Sequence, residues 1–454
     1  MQRTGLLYIV LVITLAYALI NKIIPPLFYG HDPYREMIVF IEIERSNHLP
    51  IEVPPMLDYI VQFPVLHILS AIFAYETGLN NIYVGKYLPL AFFTVSILFT
   101  YLILKEVVKI TSEKTQTILL ATPLIITLTT SIIRSNIVYH SIYIREAIAY
   151  AIALLSIYIS VKIIVSNNFG RKELLLIIIS WIVVVMSHHL TALLAFLFMI
   201  NLYIWLGGSL LRNNIVRNTL FFIGVLILVK WIYLYMTTTP LLLIATLLER
   251  APVAIRGVTL PATTRYRYMA ILTALNIIVY LIPLAVWFFK KITKEKILAP
   301  IFGLAMYALS IILFVYLPTK SLVPDRFEPW GYMYSSIVLI YAIAKINRRV
   351  ARIFLITIIA STYRIPLGLL GYNTEVYFVT DKEYHMYNFI VEHKCSIYRD
   401  QYYFLTLYIE TLRNITVSST NNCLVKLNYS SEYISAVQQV KLFNNTFINI
   451  VYSS

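Results

Sequence analysis

The sequence predicts an all-α polytopic membrane protein of about eleven transmembrane helices, followed by a small extracytoplasmic C-terminal domain of α+β or β type. Three observations lead there. Of 454 residues, 59% are hydrophobic and only 13% are Asp, Glu, Lys or Arg, against the roughly 25% charged residues of a soluble domain. Apolar runs of spanning length recur as far as residue 370. Beyond 370 the chain mixes Tyr, Ile and Val with polar residues and carries its only cysteines. The expected division is therefore 1–370 and 371–454.

Segments of about 17–22 apolar residues suffice to cross roughly 30 Å of hydrocarbon. They lie near 5–24, 83–104, 117–133, 146–165, 173–188, 190–207, 218–236, 268–289, 297–316, 330–346 and 353–370. Residues 60–77 are left out, because Gln62, Pro64, His67 and Glu76 interrupt them and the clean run is too short to span. That stretch reads as an interfacial helix, and 34–45, with charges crowding both ends, reads as a second. Both sit in a long loop over 25–82, which follows the first span. No small-residue cleavage site follows that span, so it reads as retained rather than as a signal peptide.

Charge decides the orientation. With the N-terminus cytoplasmic and 60–77 not crossing, the inward loops hold Lys105, Lys109 and Lys114; Arg171 and Lys172; Arg212 and Arg217; Lys290, Lys291, Lys294 and Lys296; and Lys345, Arg348, Arg349 and Arg352. Every inward loop is then basic, as the positive-inside rule requires. Much of the formal charge of +15 is thus topological and does not point to nucleic acid. The same count puts 371–454 outside. Its three Asn-x-Ser/Thr sequons, at Asn414, Asn428 and Asn444, are acceptors for glycans only on that side. Cys395 and Cys423 are expected to pair there, in an oxidising compartment.

The chemistry collects on the outer side. In Gly30-His31-Asp32-Pro33-Tyr34-Arg35-Glu36, directly after the first span, His31, Asp32, Arg35 and Glu36 put four ionisable side chains into the six residues that follow Gly30. Asp32-Pro33 has a plain reading, a helix start with Asp as cap and Pro in the first turn. It has a second, as a fixed carboxylate that acts as a general base. The outer loops add Asp58, Arg134, His140, Arg145, Glu146, His188 and His189. They also hold Arg250, Arg256, Arg265, Arg267, Lys320, Asp325, Arg326 and Glu328. Ionisable groups near membrane depth are costly and tend to be functional. Arg binds phosphate bidentately and His donates to it, so clustered outer cations suit the phosphate of a lipid carrier. The candidates for that role are Arg35, His188, His189, Arg265, Arg267 and Arg326. His31, Glu36 and Asp58 are candidates for holding or orienting an acceptor.

Each has a plainer reading. Arg265 and Arg267 suit snorkelling side chains, and Asp325-Arg326 suits a local ion pair. His188 and His189, about 100° apart on one helix, would not face one site together, so one of them reads as structural. Zinc on His31, His188 and an acidic residue would need distant segments to meet. No Walker loop, Gly-x-Gly-x-x-Gly or Cys-x-x-Cys is present, so nucleotide chemistry has no support.

The pattern resembles the C-type membrane glycosyltransferase superfamily, which uses polyprenyl-phosphate sugars and includes oligosaccharyltransferases, protein O-mannosyltransferases and lipid A aminoarabinose transferases. The resemblance lies in the 30–36 stretch and continues through Phe63-Pro64-Val65-Leu66-His67 and Thr77-Gly78-Leu79. Ser187-His188-His189-Leu190-Thr191 and Asp325-Arg326-Phe327 look like archaeal members. Over roughly 1–370 the resemblance implies a first outer loop built of membrane-parallel helices and carrying the catalytic acid, here Asp32. It implies a dolichyl- or polyprenyl-phosphate sugar as donor, and a protein or glycolipid acceptor. The Trp-Trp-Asp-Tyr-Gly motif of oligosaccharyltransferases is absent, since no two Trp are adjacent. A single-sugar, inverting transferase is therefore the better expectation, with no cofactor required and a divalent metal optional. The competing classes are a transporter or flippase of lipid-linked sugars, which would show internal repeats and charges within its spans, and a non-catalytic assembly subunit.

Overall fold

The computed structural model describes residues 32–49, 58–111, 143–166, 170–206 and 213–237, four helical residues at 330, 333, 336 and 337, and the backbone of four strands between 396 and 453. The chain forms two compact units. One joins Ile20–Leu88 to Asn373–Ser454, and the other joins Met1–Leu19 to Pro89–Tyr372.

In the first unit, helix α1 spans Asp32–Ser46, α2 Asp58–Val61 and α3 Val65–Thr77, and α4, Asn81–Thr111, begins there. Helix α1 starts at Asp32-Pro33, where an acidic residue and a residue without N–H both suit the first turn of a helix. It ends at Asn47, whose φ of 57° is the left-handed conformation of a helix stop. The Asn47 N–H returns to Ile43 O at 2.8 Å. The centre of α1 is enclosed, with every residue from Glu36 to Ile41 buried. Of the described side chains of α1, those that open toward the surface lie from Glu42 onward.

The helix expected over 60–77 is present but broken. Pro64 has no N–H and disfavours helical geometry in the residue before it. Helix α2 therefore stops at Val61, α3 starts at Val65, and Phe63 is buried in the gap. Helix α3 ends at Gly78, with φ 66° and its N–H on Ala74 O at 2.8 Å. A side chain at that φ would be strained. On the buried face of α3 lie Leu66, His67, Ser70 and Ala74. Helices α1 and α3 pack together through Ile38, Val39 and Ile43 against Ala71, with Ile60 of α2 alongside. The other face of α3 exposes Ile68, Leu69, Ile72 and Phe73, an apolar surface that suits lipid. An amide N–H of Asn81, in the first turn of α4, donates to Glu44 on α1.

The second unit holds the rest of α4, then α5 (Arg145–Ser166), α6 (Arg171–Ser187), α7 (His189–Leu206) and α8 (Asn214–Thr237). Among the described residues, three helices are long and apolar enough to cross a membrane: Asn81–Val107, Arg145–Ser166 and Asn214–Leu234. The protein is a multi-pass helical membrane protein. Of the six expected spans from 83–104 to 218–236, five fall on α4 to α8 within a few residues, and 117–133 lies outside the described residues. Trp330, Met333, Ser336 and Ile337 are helical within the expected span at 330–346. The remaining expected spans lie outside the described residues.

Helix α5 is the centre of this unit. It is buried at nearly every position from Arg145 to Ile164 and packs on α6 and α7. Its Ala147, Ala149, Ala151 and Ala153 let neighbouring backbones approach, as small residues do between membrane helices. Trp181, Phe198 and Leu202 complete the core with Trp330 and Met333. Helix α8 is peripheral and exposes Phe221, Phe222, Leu228, Val229, Ile232 and Met236.

The described strands are β1 (Ser396–Ile397), β2 (Cys423–Leu427), β3 (Gln439–Asn444) and β4 (Ile448–Ser453), in the sheet order β1-β2-β4-β3. Asn444 is the last residue of β3 and pairs with Asn449, so its sequon opens the β3–β4 hairpin loop. Strand β1 runs parallel to β2, with Ser396 beside Leu424. We expect a Cys395–Cys423 bond contributing about 3 kcal/mol in the chain-entropy model. Alkylation with and without reductant, read by mass spectrometry, should label these cysteines only after reduction; labelling of freshly isolated membranes without reductant refutes the bond.

Candidate functional site

The first centre is the N-terminal turn of α1. Asp32 is its first residue, Arg35 follows in the same turn, and Glu36 lies one turn on. Glu36 is 4% exposed and His67, on α3, is fully buried. Their side chains meet with His67 Nε2 2.7 Å from Glu36 Oε2. An ionised carboxylate only accepts, so the imidazole Nε2–H donates. A hydrogen bond of this length to a carboxylate belongs to the strong class. Removing one member of such a pair typically costs about 3–5 kcal/mol, because the other is left buried and uncompensated. Asp58 is the first residue of α2.

The second centre is the elbow between α6 and α7. Helix α6 ends at Ser187, and His188 takes an extended conformation, φ −160° and ψ 118°. Its N–H closes α6 on Val184 O at 3.0 Å, and its C=O accepts the Ala192 N–H, opening α7, at 3.0 Å. Its Nδ1 accepts the backbone N–H of Thr191 at 3.2 Å and lies 2.8 Å from Thr191 Oγ1. His188 is therefore a helix cap made by an imidazole. Because Nδ1 accepts, the proton of the neutral ring is assigned to Nε2.

This elbow corrects the argument from helical spacing. His188 is not helical, so the 100° separation does not apply, and the His188 and His189 rings lie side by side with centroids 5.2 Å apart. The short link from α5 to α6 makes them antiparallel, which brings the start of α5 to the same end as the elbow. Arg145 and Glu146 stand there, 7% and 5% exposed. Helix α8 returns to that end as well, where its Trp231 ring lies 5.2 Å from the His189 ring. Beside Trp231, Lys230 is buried, with Nζ 5.1 Å from the Tyr233 ring centroid. Two cations, one carboxylate and two imidazoles thus share one end of one helical unit, a set able to receive an anion.

Two solved structures resemble this chain. Both are of the oligosaccharyltransferase of Archaeoglobus fulgidus. The apo form matches with a TM-score of 0.49 and 12% identity, covering 96% of this chain and 62% of that one. The form in complex with zinc and sulfate matches with a TM-score of 0.45 and 14% identity, covering 95% of this chain and 59% of that one. This chain therefore spans about three fifths of their length. No family model and no curated protein matches.

The sequence singled out Asp32, Glu36, His188 and His189, and it listed Arg145 and Glu146 among outer charges. It gave no role to His67, which it read as an interruption of 60–77 and as part of the resembling Phe63–His67 stretch, or to Lys230, hidden inside an expected span. A polar residue breaking an otherwise apolar run was the available signal for both. His31, Arg265, Arg267, Arg326, Cys395, Asn414 and Asn428 lie outside the described residues, and of the tail residues Cys423 and Asn444 are placed by backbone alone. Among the described residues no group of three or more His, Cys, Asp or Glu side chains is placed to hold a metal.

Proposed function

We propose that this chain is an inverting membrane glycosyltransferase, which moves a sugar from a polyprenyl- or dolichyl-phosphate carrier to an acceptor on the extracytoplasmic face. The reading rests on Asp32. The residue stands at the head of a helix whose next turn is fixed by a buried Glu36–His67 bond, in the motif that resembles the C-type transferases. Asp32 takes the proton of the acceptor hydroxyl or amide. The freed oxygen or nitrogen attacks the anomeric carbon from the face opposite the phosphate. The carbon–oxygen bond to the carrier breaks, and its electrons stay on the phosphate. Arg and His side chains neutralise that leaving group, from among Arg35, His188, His189, Arg265, Arg267 and Arg326. His31 and Asp58 orient the acceptor. No step uses a metal. The N-terminus lies in the cytoplasm, and the C-terminal region, with its sequons, outside.

The test is reconstitution in liposomes with radiolabelled polyprenyl-phosphate hexoses and native membranes as acceptor. Labelled sugar should move to an acceptor with release of polyprenyl phosphate. Intact donor after prolonged incubation with the whole panel overturns the reading.

Lys230 joins the phosphate-binding set in this reading. A charge buried in a spanning helix is costly and needs a reason to be there. A hydrogen bond to a charged group is worth about 1.5–3 kcal/mol, so Lys230→Met should weaken polyprenyl phosphate binding about tenfold or more. Binding by the variant equal to that of the parent removes Lys230 from the set.

One observation favours a transporter of lipid-linked sugars. Lys86, Glu106 and Lys230 are buried in helices of spanning length, where transport pathways place charge. Movement of a labelled carrier across liposomes with its sugar linkage intact would establish that reading instead.

A further inference from the structure

We propose that His67 is a positioning residue, which acts through its buried hydrogen bond to Glu36 to hold the turn of α1 that carries Asp32. The proposal rests on the reading of Asp32 as the base. It adds a residue on a different helix and a reason for its burial.

Apolar contacts hold α1 against α3, through Ile38, Val39 and Ile43 with Ala71. Such contacts are non-directional. They bring the helices together without fixing how far α1 is rotated or how firmly its first turn is wound. Helix ends fray unless tied down. Glu36 is the first described side chain of α1 after Pro33 to be buried, and it meets His67 at 2.7 Å. Glu36 is one helical turn, about 6 Å along the axis, from Asp32. The His67–Glu36 bond is a directional link across this interface, and it falls beside the turn that needs precision. A displacement of about 1 Å in a reacting group can cost about 100-fold in rate.

Leucine at 67 keeps the bulk and removes the donor. Glutamine keeps an N–H donor near the position of Nε2. With polyprenyl-phosphate mannose as probe donor, native membranes as acceptor and the full chain in liposomes, His67→Leu should lower kcat about 100-fold. Its KM for the donor should stay within about threefold. His67→Gln should recover to within about tenfold of the parent. A purely structural histidine would lower the yield of folded protein and leave kcat per folded molecule intact. A second measurement needs no turnover. A spin label at Tyr34→Cys, in a Cys395→Ser, Cys423→Ser background, should be immobile in the parent, mobile with His67→Leu and immobile again with His67→Gln. A spectrum unmoved by His67→Leu overturns the proposal, as does raised mobility with kcat unchanged. Asp32→Asn run alongside separates the two ideas. Full transfer by that variant overturns the catalytic reading, while the label still reports whether the bond holds the turn.

Discussion

Asp32→Asn is expected to lower kcat by about 10²–10⁴, the usual contribution of a positioned general base, while donor affinity stays within about threefold. Asparagine is nearly isosteric with aspartate and caps a helix as well, so α1 should begin where it does now. The variant removes the ability to accept a proton and little else. Asp32→Ala should lose as much activity and, in addition, about 1 kcal/mol of helix stability from the missing cap. Comparing the two separates chemistry from capping, the plain reading of Asp32-Pro33. If Asn transfers sugar at the parental rate and Ala is merely less stable, Asp32 is a cap and the base lies elsewhere.

The helices of this chain were legible because lipid writes a strong signal. A run of about 20 apolar residues has few other meanings, and α4 to α8 fall where such runs predict them. Period carried little of that information. Helix α5 is buried almost all round, so it has no polar stripe for the sequence to display. What was illegible is how segments group. Residues 20–88 form one unit with the C-terminal region, although about three hundred residues separate them in the chain. Nothing in local composition reports a contact of that sequence separation.

The candidate site was legible to the degree that its residues are unusual where they stand. Glu36 sits in a dense run of charge, which marks it. His67 breaks an apolar run, which accounts for 60–77 not spanning but does not point to a partner. Its partner, 31 residues earlier, could not be read from spacing. Helical spacing misplaces the two adjacent histidines for a definite physical reason. A capping imidazole takes its residue out of the helix, and the backbone at His188 is extended. Helical geometry then no longer sets the angle between them. Ser187-His188-His189-Leu190-Thr191 contains the needed clue, since Thr191 is three residues after His188, at the spacing of an N-cap and the N–H it receives.

The second large effect concerns the core of the helical unit. Trp181→Ala should destabilise the protein by about 2–3 kcal/mol, below the roughly 3–5 kcal/mol of the same change in a soluble core. Trp181 is fully buried on α6 and meets the Phe196 ring of α7 edge to face, with centroids 5.9 Å apart and planes at 82°. Behind Phe196 stands Gly224 of α8, where an added Cβ would lie 3.2 Å from Phe196 Cζ. Glycine there lets α8 close on the ring, and the ring is held between α8 and Trp181. Loss of the indole would leave Phe196 supported on one side only. The smaller cost follows from the solvent. Helices that separate in a bilayer stay in hydrocarbon, so the transfer part of the usual penalty is absent and the packing part remains. Trp181 Nε1 has no hydrogen-bond partner among the described residues, so Trp181→Phe should lose packing alone and cost about 1 kcal/mol, in the range of volume-tolerant core swaps. Unfolding of the full chain in bicelles, followed for parent, Phe and Ala variants, should rank them in that order. An Ala variant as stable as the parent would mean that α6 and α7 are held together by something other than this ring pair.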